Sequence, residues 1–135
     1  KMENCDSKEL CKNLFDAVSE DLESRQKVAH FMITESRRGK AKEIAKSWGE
    51  KLESSKGQCI LWTYHIASML FHEKSADLLE LLSLLFEQIH MRFRNSILHC
   101  DIQEERDTIH GFAKEWLKLG YIMEPLEREL DEIYC

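Results

Sequence analysis

The sequence predicts an all-α domain, and three observations support this prediction. The chain of 135 residues contains one proline and five glycines, too few to supply the turns of a hairpin-rich β protein. Its composition, 43% apolar and 33% charged, suits amphipathic helices. Apolar residues also recur at helical spacing along most of the chain. We therefore expect a single domain over residues 1–135, built from seven or eight short helices without strands.

The first half of the chain predicts four helices separated by short breaks. Ser7, an N-cap residue type, opens the first helix. Ser24 opens the second, which ends at "SRRGK", where Gly39 can take the left-handed conformation common at helix ends. A third helix covers residues 40–54 and a fourth covers Gln58–Glu73. The third helix has one apolar stripe at helical spacing, formed by Ala41, Ile44, Ala45, Trp48 and Leu52.

The helix predicted over Gln58–Glu73 differs from the others because its apolar residues point in nearly all directions. A helix that is apolar on most sides is buried among its neighbours, so we expect it at the centre of the fold. Its stretch "TYHIASMLFH" also carries polar residues that a plain core helix does not need. These are Tyr64, His65, Ser68 and His72.

Three further helical segments complete the chain. An amphipathic segment covers residues 76–95 and can be broken into two helices, and another covers residues 103–119. The last begins near Pro125, a residue type favoured in the first turn of a helix. We expect the apolar faces to share one core that largely buries Trp48 and Trp116.

The net charge of −6 bears on the choice of partners. Nucleic-acid binders usually carry a basic excess that displaces counterions from phosphates, so the balance argues against a nucleic-acid partner for this domain alone. The cluster Arg37, Arg38, Lys40 and Lys42 is interpreted as cations near a helix C-terminus in preference to a nucleic-acid contact. We also expect no signal peptide, no membrane span and no membrane partner.

The cysteines are odd in number and widely scattered. A disulfide framework would be denser and usually even, so we expect reduced thiols in an intracellular protein. Cys59 and Cys100 are predicted to be small core residues. A zinc site from Cys5, Cys11, His99 and Cys100 is conceivable, but the spacings match no common ligand pattern.

Motifs that would indicate catalysis or a bound cofactor are missing from the sequence. The chain has no G-x-x-x-x-G-K-[ST], G-x-G-x-x-G, G-x-S-x-G or H-E-x-x-H pattern. His65 and His72 stand seven residues apart and could share a helix face, but two ligands do not make a closed zinc site. We therefore expect no enzyme, no cofactor, no metal and no small-molecule substrate.

Four stretches, in this order, resemble one family. "AKEIAKSWGEKL", "YHIASMLFH", "IHGFAKEWLKLGYI" and "LERELDEI" are similar to the third, fourth, penultimate and last helices of the CTD-interacting domain (CID). This domain is a right-handed helical module related to VHS domains that binds the heptad-repeat tail of RNA polymerase II. The resemblance covers nearly the whole chain and implies a right-handed superhelical bundle with a peptide groove lined by the second, fourth and penultimate helices.

The signature of the fourth helix in this family is Tyr-x-x-Asp-Ser-[Ile/Val]-x-x-Asn, and this chain matches it in part. Tyr64 and Ser68 fall on the matching Tyr and Ser, and His72 falls where many members have Asn or Gln. Ala67 stands where the family has an Asp that hydrogen-bonds the tail peptide. Gly111 stands where some members carry an Arg that pairs with phosphoserine. A missing charged acceptor costs about 1.5–3 kcal/mol, so we expect tail binding weaker than that of members with the full motif.

The resemblance also implies which residues contact a peptide. Ser24 and Arg25 fall in the loop between the first two helices, which borders the groove in the family, and Arg25 and Arg106 are candidate phosphate neighbours. For Tyr64, a core ring with its hydroxyl at the rim is an equal alternative. The expected peptide-binding residues are Ser24, Arg25, Tyr64, Ser68, His72 and Arg106.

The function implied by the resemblance is a non-enzymatic peptide-binding module of a nuclear transcription or RNA-processing factor. Its expected partner is the tail of RNA polymerase II or another protein. The main alternative is a scaffold that kept the fold, lost tail binding and holds another protein or itself. An endocytic helical module that binds sorting peptides or membrane ranks third, RNA binding fourth and an enzyme last.

Overall fold

The computed structural model describes residue 15 and residues 20–120, and this part of the chain is helical with no strand. A π-type turn, Ser36–Lys40, joins the first two helices, and a 3₁₀ turn, Ala76–Leu78, precedes the fourth. The α-helices are α1 (Leu22–Glu35), α2 (Ala41–Ser54), α3 (Gln58–Glu73), α4 (Leu79–Leu98) and α5 (Gln103–Lys118).

The predicted all-α class is confirmed for the described residues, and the fourth predicted helix has the bounds of α3. The helices expected from Ser7 and near Pro125 lie outside the described residues. The total of seven or eight helices and their right-handed superhelical path therefore stay predictions. The segment predicted over residues 76–95 is a 3₁₀ turn followed by one unbroken helix that continues to Leu98.

The prediction that Ser24 opens a helix is wrong by one turn. The N-cap is Asp21, whose Oδ1 accepts a hydrogen bond from the Glu23 backbone N–H at 3.3 Å. An Asp at this position satisfies an N–H that has no partner inside the helix. The expected break at Gly39 is confirmed, because this residue has φ +86°, a conformation that favours glycine.

Helix α3 lies at the centre of the described fold, as its all-round apolar pattern predicts. It contacts α1, α2, α4 and α5, and Ile60, Ile66, Leu70 and Phe71 are fully or almost fully buried. The four helices around α3 share one continuous core with it, and α2 and α4 also pack closely against each other.

The predicted burial of Trp48 in α2 and Trp116 in α5 is confirmed, since both side chains are fully buried. The Trp48 indole N–H donates to the Thr63 carbonyl at 3.0 Å and so ties α2 to α3. Cys100 is a buried thiol as predicted, whereas Cys59 is only partly buried. Within the described residues no helix combines the length and the apolar character needed to cross a membrane.

Candidate functional site

A depression of about 360 Å³ opens where α1, α3 and α5 meet, and we call it the groove. These are the helices that the resemblance implied would line a peptide site. Helix α3 supplies most of the lining, because residues 58, 61, 62 and 65 share one helical face. The lining residues are Arg25 of α1, Gln58, Leu61, Trp62 and His65 of α3, and Thr108 and Phe112 of α5.

His65 forms one wall of the groove. Its imidazole stacks on the Phe112 ring with the centroids 6.1 Å apart and an interplanar angle of 28°. Burial and the neighbouring Arg25 guanidinium lower the pKa of His65, while Glu115 acts in the opposite direction. His65 is therefore neutral at physiological pH. Its Nδ1 is buried and has no hydrogen-bond partner among the described residues.

Arg25 forms the cationic end of the groove. One guanidinium nitrogen, Nη2, donates to the Glu20 carbonyl at 3.0 Å, which anchors the side chain across the first turn of α1. The Nε–H is buried and has no partner within the described part of the chain. Arg25 lines the groove but lies in α1, not in the loop that the resemblance implied, and its contact with a peptide stays a prediction.

Ser68 and His72 lie about one and two turns beyond His65 on α3, outside the lining of the groove. Both contact the same carboxylate of α5. The Ser68 hydroxyl donates to Glu115 Oε1 at 3.0 Å, and His72 Nε2 lies 3.2 Å from the same oxygen. The His72 and Ser68 hydrogen bonds lower the pKa of Glu115, so this carboxylate is ionised at neutral pH. Ser68 is buried, whereas His72 and Glu115 are each about half exposed.

Tyr64 belongs to the core and offers no surface to a ligand. Its side chain is fully buried and its hydroxyl donates to Ser96 Oγ at 2.9 Å, on the side of α4. The ring packs edge-on against Trp48 and Phe93 and tilted against Trp116, with centroids 5.8–6.5 Å apart. The expectation that Tyr64 lines the groove does not hold in this structure, and even the hydroxyl lies inside the core.

The two positions where the chain departs from the family motif have opposite surroundings. Ala67 is fully buried, so an Asp placed there would point into the core of this structure. Gly111 is exposed, and a Cβ built on it would meet nothing within 4 Å. Gly111 lies between Thr108 and Glu115 on the groove side of α5, so this position is open to a longer side chain.

Ser24 and Arg106 are placed away from the lining of the groove. Ser24 lies in the first turn of α1 and its hydroxyl donates to the Asp21 carbonyl at 2.8 Å. Arg106 Nε donates to the Cys100 carbonyl at 2.9 Å and braces the turn between α4 and α5. Neither side chain is among those that line the groove, and both make local contacts that stabilise a helix end.

The basic cluster that follows α1 is paired with acidic residues. Arg37 Nε lies 2.7 Å from Asp77 Oδ2, and Arg38 Nη1 lies 3.3 Å from Glu35 Oε2. The Ser75 hydrogen bond, followed by that of Arg37, lowers the pKa of Asp77. Within the described residues, no group of three or more His, Cys, Asp or Glu is arranged to hold a metal ion.

Sequence reasoning missed most of the groove lining. It singled out His65 as polar but gave it no role, and it did not single out Thr108 or Phe112. Helical spacing could have indicated Thr108, Phe112 and Glu115 as one stripe. Comparison of the chain with family models, curated proteins and solved structures finds no significant match. The functional assignment therefore depends on the groove and on the motif resemblance.

Proposed function

We propose that this domain is a non-enzymatic module that binds an extended peptide in the groove between α1, α3 and α5. The observation that carries the proposal is the groove itself. Its volume of about 360 Å³ falls in the range of ligand sites, which combine an apolar lining with a few placed polar groups. Leu61, Trp62 and Phe112 supply apolar surface, and Arg25 and His65 supply polar side chains to the lining.

The first candidate ligand is the heptad-repeat tail of RNA polymerase II. The tail is the ligand that the motif resemblance implies, and it is an extended, hydroxyl-rich peptide. The position of the groove on these three helices supports this choice. On this proposal the domain belongs to a nuclear transcription or RNA-processing factor.

The contacts of Ser68, His72 and Glu115 do not have the arrangement of a nucleophilic catalytic site. A catalytic serine donates its proton to a base such as an imidazole. Here the Ser68 hydroxyl is buried and donates to the Glu115 carboxylate, and His72 Nε2 reaches that carboxylate instead of Ser68. These contacts tie α3 to α5.

A fluorescence-anisotropy titration tests the proposal. The labelled peptides are an unphosphorylated two-repeat tail and versions phosphorylated singly at each serine. The groove is blocked by Thr108→Trp, because Thr108 is exposed and lines the groove. The matched control is Lys114→Trp, which adds the same bulk at an exposed position of α5 that does not line the groove.

We expect saturable binding to at least one peptide, a loss of tenfold or more in affinity for Thr108→Trp, and no change for Lys114→Trp. A tenfold loss corresponds to about 1.4 kcal/mol. Binding that survives Thr108→Trp would place the peptide elsewhere on the domain. Absence of saturable binding to every tail peptide would remove the polymerase tail as the ligand.

The second candidate function is a scaffold that kept the fold and lost tail binding. One observation favours it: Tyr64 and Ala67, two positions of the signature of the fourth helix, are fully buried. Residues that pack in the core are needed for folding, so they are kept even in a protein that no longer binds a peptide in the groove. The scaffold is supported if no tail peptide binds and the domain associates with itself in sedimentation experiments.

A further inference from the structure

Helix α4 presents an apolar stripe on the side that faces away from the core. This α4 stripe consists of Leu84, Met91 and Leu98, which follow one another at intervals of two helical turns on one face. Met91 is 63% exposed and Leu98 is 68% exposed, while Leu84 is partly buried. The opposite side of α4 is packed in the core, where its buried residues include Ile89 and Phe93. A helix that is apolar on two opposite sides is expected to have a neighbour on each of them.

Exposed large apolar side chains are few in the described part of the chain, and two of them belong to the α4 stripe. These exposed side chains are Leu22, Leu79, Met91, Leu98 and Ile102. The exposed charged residues Glu87 and Arg94 border the stripe on one side. An exposed apolar surface with a polar rim is typical of a protein–protein contact. No residue of α4 lines the groove, so this surface is separate from the proposed peptide site and the inference does not rest on the proposed function.

The order of residues along α4 is suited to contact with a second copy of the same helix. Leu84 lies seven residues before Met91, and Leu98 lies seven residues after it. In a two-fold symmetric interface, residue i contacts residue j of the other copy while residue j contacts residue i. When two α4 helices run antiparallel with the two-fold axis at Met91, Leu84 of each copy lies against Leu98 of the other. Every residue of the stripe then has an apolar partner.

The charges beside the α4 stripe have nearly the same symmetry. Glu87 lies four residues before Met91, and Arg94 lies three residues after it. Antiparallel packing therefore brings Glu87 of one copy beside Arg94 of the other, and the two-fold axis forms this pair twice. On its other side the stripe is bordered by the uncharged amides of Gln88 and Asn95, so the residues nearest the stripe bring no like charges together. Complementary charges of this kind fix the orientation of two partners more than they strengthen the contact.

We propose that α4 forms a reversible contact between two copies of this chain, in which the α4 stripes pack antiparallel around Met91. The stripe extends about 21 Å along the helix, whereas a stable interface buries about 800 Å² on each partner. One helix face of this length covers a smaller area, so the dimer is weak and forms at high protein concentration. Both grooves remain open in this dimer, because no residue of α4 lines them.

Sedimentation equilibrium of the whole chain tests the proposal at protein concentrations from about 10 μM to about 1 mM, the range of a weak interface. A reducing buffer prevents the thiols from cross-linking two chains. Met91→Glu places two carboxylates together at the two-fold axis, where like charges oppose association. The matched control is Leu79→Glu, which makes the same chemical change at a 61% exposed position of α4 outside the stripe. Circular dichroism checks that every variant is folded.

Exchange of charges tests the antiparallel orientation. Glu87→Arg alone and Arg94→Glu alone each bring like charges together in the homodimer, and each should weaken dimerisation about threefold or more. The double variant Glu87→Arg/Arg94→Glu restores opposite charges at both contacts. An equimolar mixture of the two single variants does the same, because the mixed dimer pairs two arginines of one chain with two glutamates of the other. Both should dimerise as wild type does.

Wild-type protein is expected to show a monomer–dimer equilibrium that Met91→Glu weakens about tenfold or more and that Leu79→Glu leaves within about twofold. Wild-type protein that stays monomeric at every concentration would refute the proposal and leave the stripe to a different protein. Equal dimerisation of wild type and Met91→Glu would refute it as well. Single charge variants that weaken the dimer without rescue by the double variant or by the mixture would refute the antiparallel contact.

The peptide titration separates this proposal from the proposed function. Met91→Glu should bind tail peptides with the affinity of wild type, since Met91 does not line the groove. A dimer that is lost in Met91→Glu supports the α4 contact whether or not a tail peptide binds. Peptide binding by a monomeric wild-type protein would leave the proposed function standing and remove the dimer.

Discussion

Ala67→Asp is expected to destabilise the fold severely, because position 67 is fully buried at the centre of the molecule. A carboxylate transferred to such a site loses its hydration and gains no cation in return. The effective cost of burying an unpaired charge is several kcal/mol, and the domain as a whole is stable by roughly 5–15 kcal/mol. We expect a loss of about 3–5 kcal/mol at neutral pH.

Thermal unfolding followed by circular dichroism measures this loss. For a domain of this size, about 3–5 kcal/mol corresponds to a fall in Tm of 10 °C or more. The control is Ala76→Asp, the same substitution at an exposed position, which should change Tm by no more than a few degrees.

The pH dependence gives a second check on the physical cause. Burial raises the pKa of an Asp above its value in the unfolded chain. The folded variant then binds a proton more tightly than the unfolded chain. Its loss of stability relative to wild type therefore grows as pH rises from the pKa of the introduced aspartate in the unfolded chain to its higher pKa in the folded protein. The deficit should be smaller at pH 4 than at pH 7. An Ala67→Asp variant with wild-type Tm and tighter tail binding would falsify the burial of this position and support the peptide contact that the motif resemblance implies.

Three further predictions address single contacts. Gly111→Ala should raise the free energy of unfolding by up to about 1 kcal/mol, because the position is helical, exposed and free of steric conflict. Urea unfolding measures this free energy, and a loss of stability would contradict the open surroundings of Gly111. Tyr64→Phe removes the hydrogen bond to Ser96 and should cost about 1 kcal/mol without affecting peptide affinity, whereas a loss of affinity would put the hydroxyl in the site. The His72 and Ser68 hydrogen bonds depress the pKa of Glu115, so they contribute stability above the ordinary Glu pKa that is lost as pH falls through the folded value. Because Glu115 is half exposed, the loss should be below about 1 kcal/mol, and Glu115→Gln should remove this part of the pH dependence in urea titrations between pH 3 and 6.

The helices were predictable because their causes are local. The stripe of α2 and the all-round apolar pattern of α3 require only the period of the helix, and the break at Gly39 requires only its conformational freedom. The start of α1 was missed because Ser24 and Asp21 are both N-cap residue types, and the sequence offers no means of choosing between them.

The site was predictable only in outline. The resemblance indicated which helices line the groove, but it could not show which way a side chain points in this fold. The hydroxyl of Tyr64 is compatible with a place at the rim of the groove, but in the structure it donates a hydrogen bond to Ser96 inside the core. Glu115 was indistinguishable from a solvated helix face until α3 and α5 were packed together, since its partners Ser68 and His72 are 47 and 43 residues away along the chain.

The most direct test of peptide binding in the groove is a two-dimensional ¹H–¹⁵N NMR titration with the unphosphorylated and singly phosphorylated tail peptides. The three indole N–H signals serve as reporters, because Trp62 lines the groove while Trp48 and Trp116 are fully buried. The account predicts that Trp62 shifts most among the indoles, and that the largest backbone shifts lie in α1, α3 and α5. Shifts confined to the exposed side of α4 around Met91 and Leu98, with Trp62 unmoved, would contradict it.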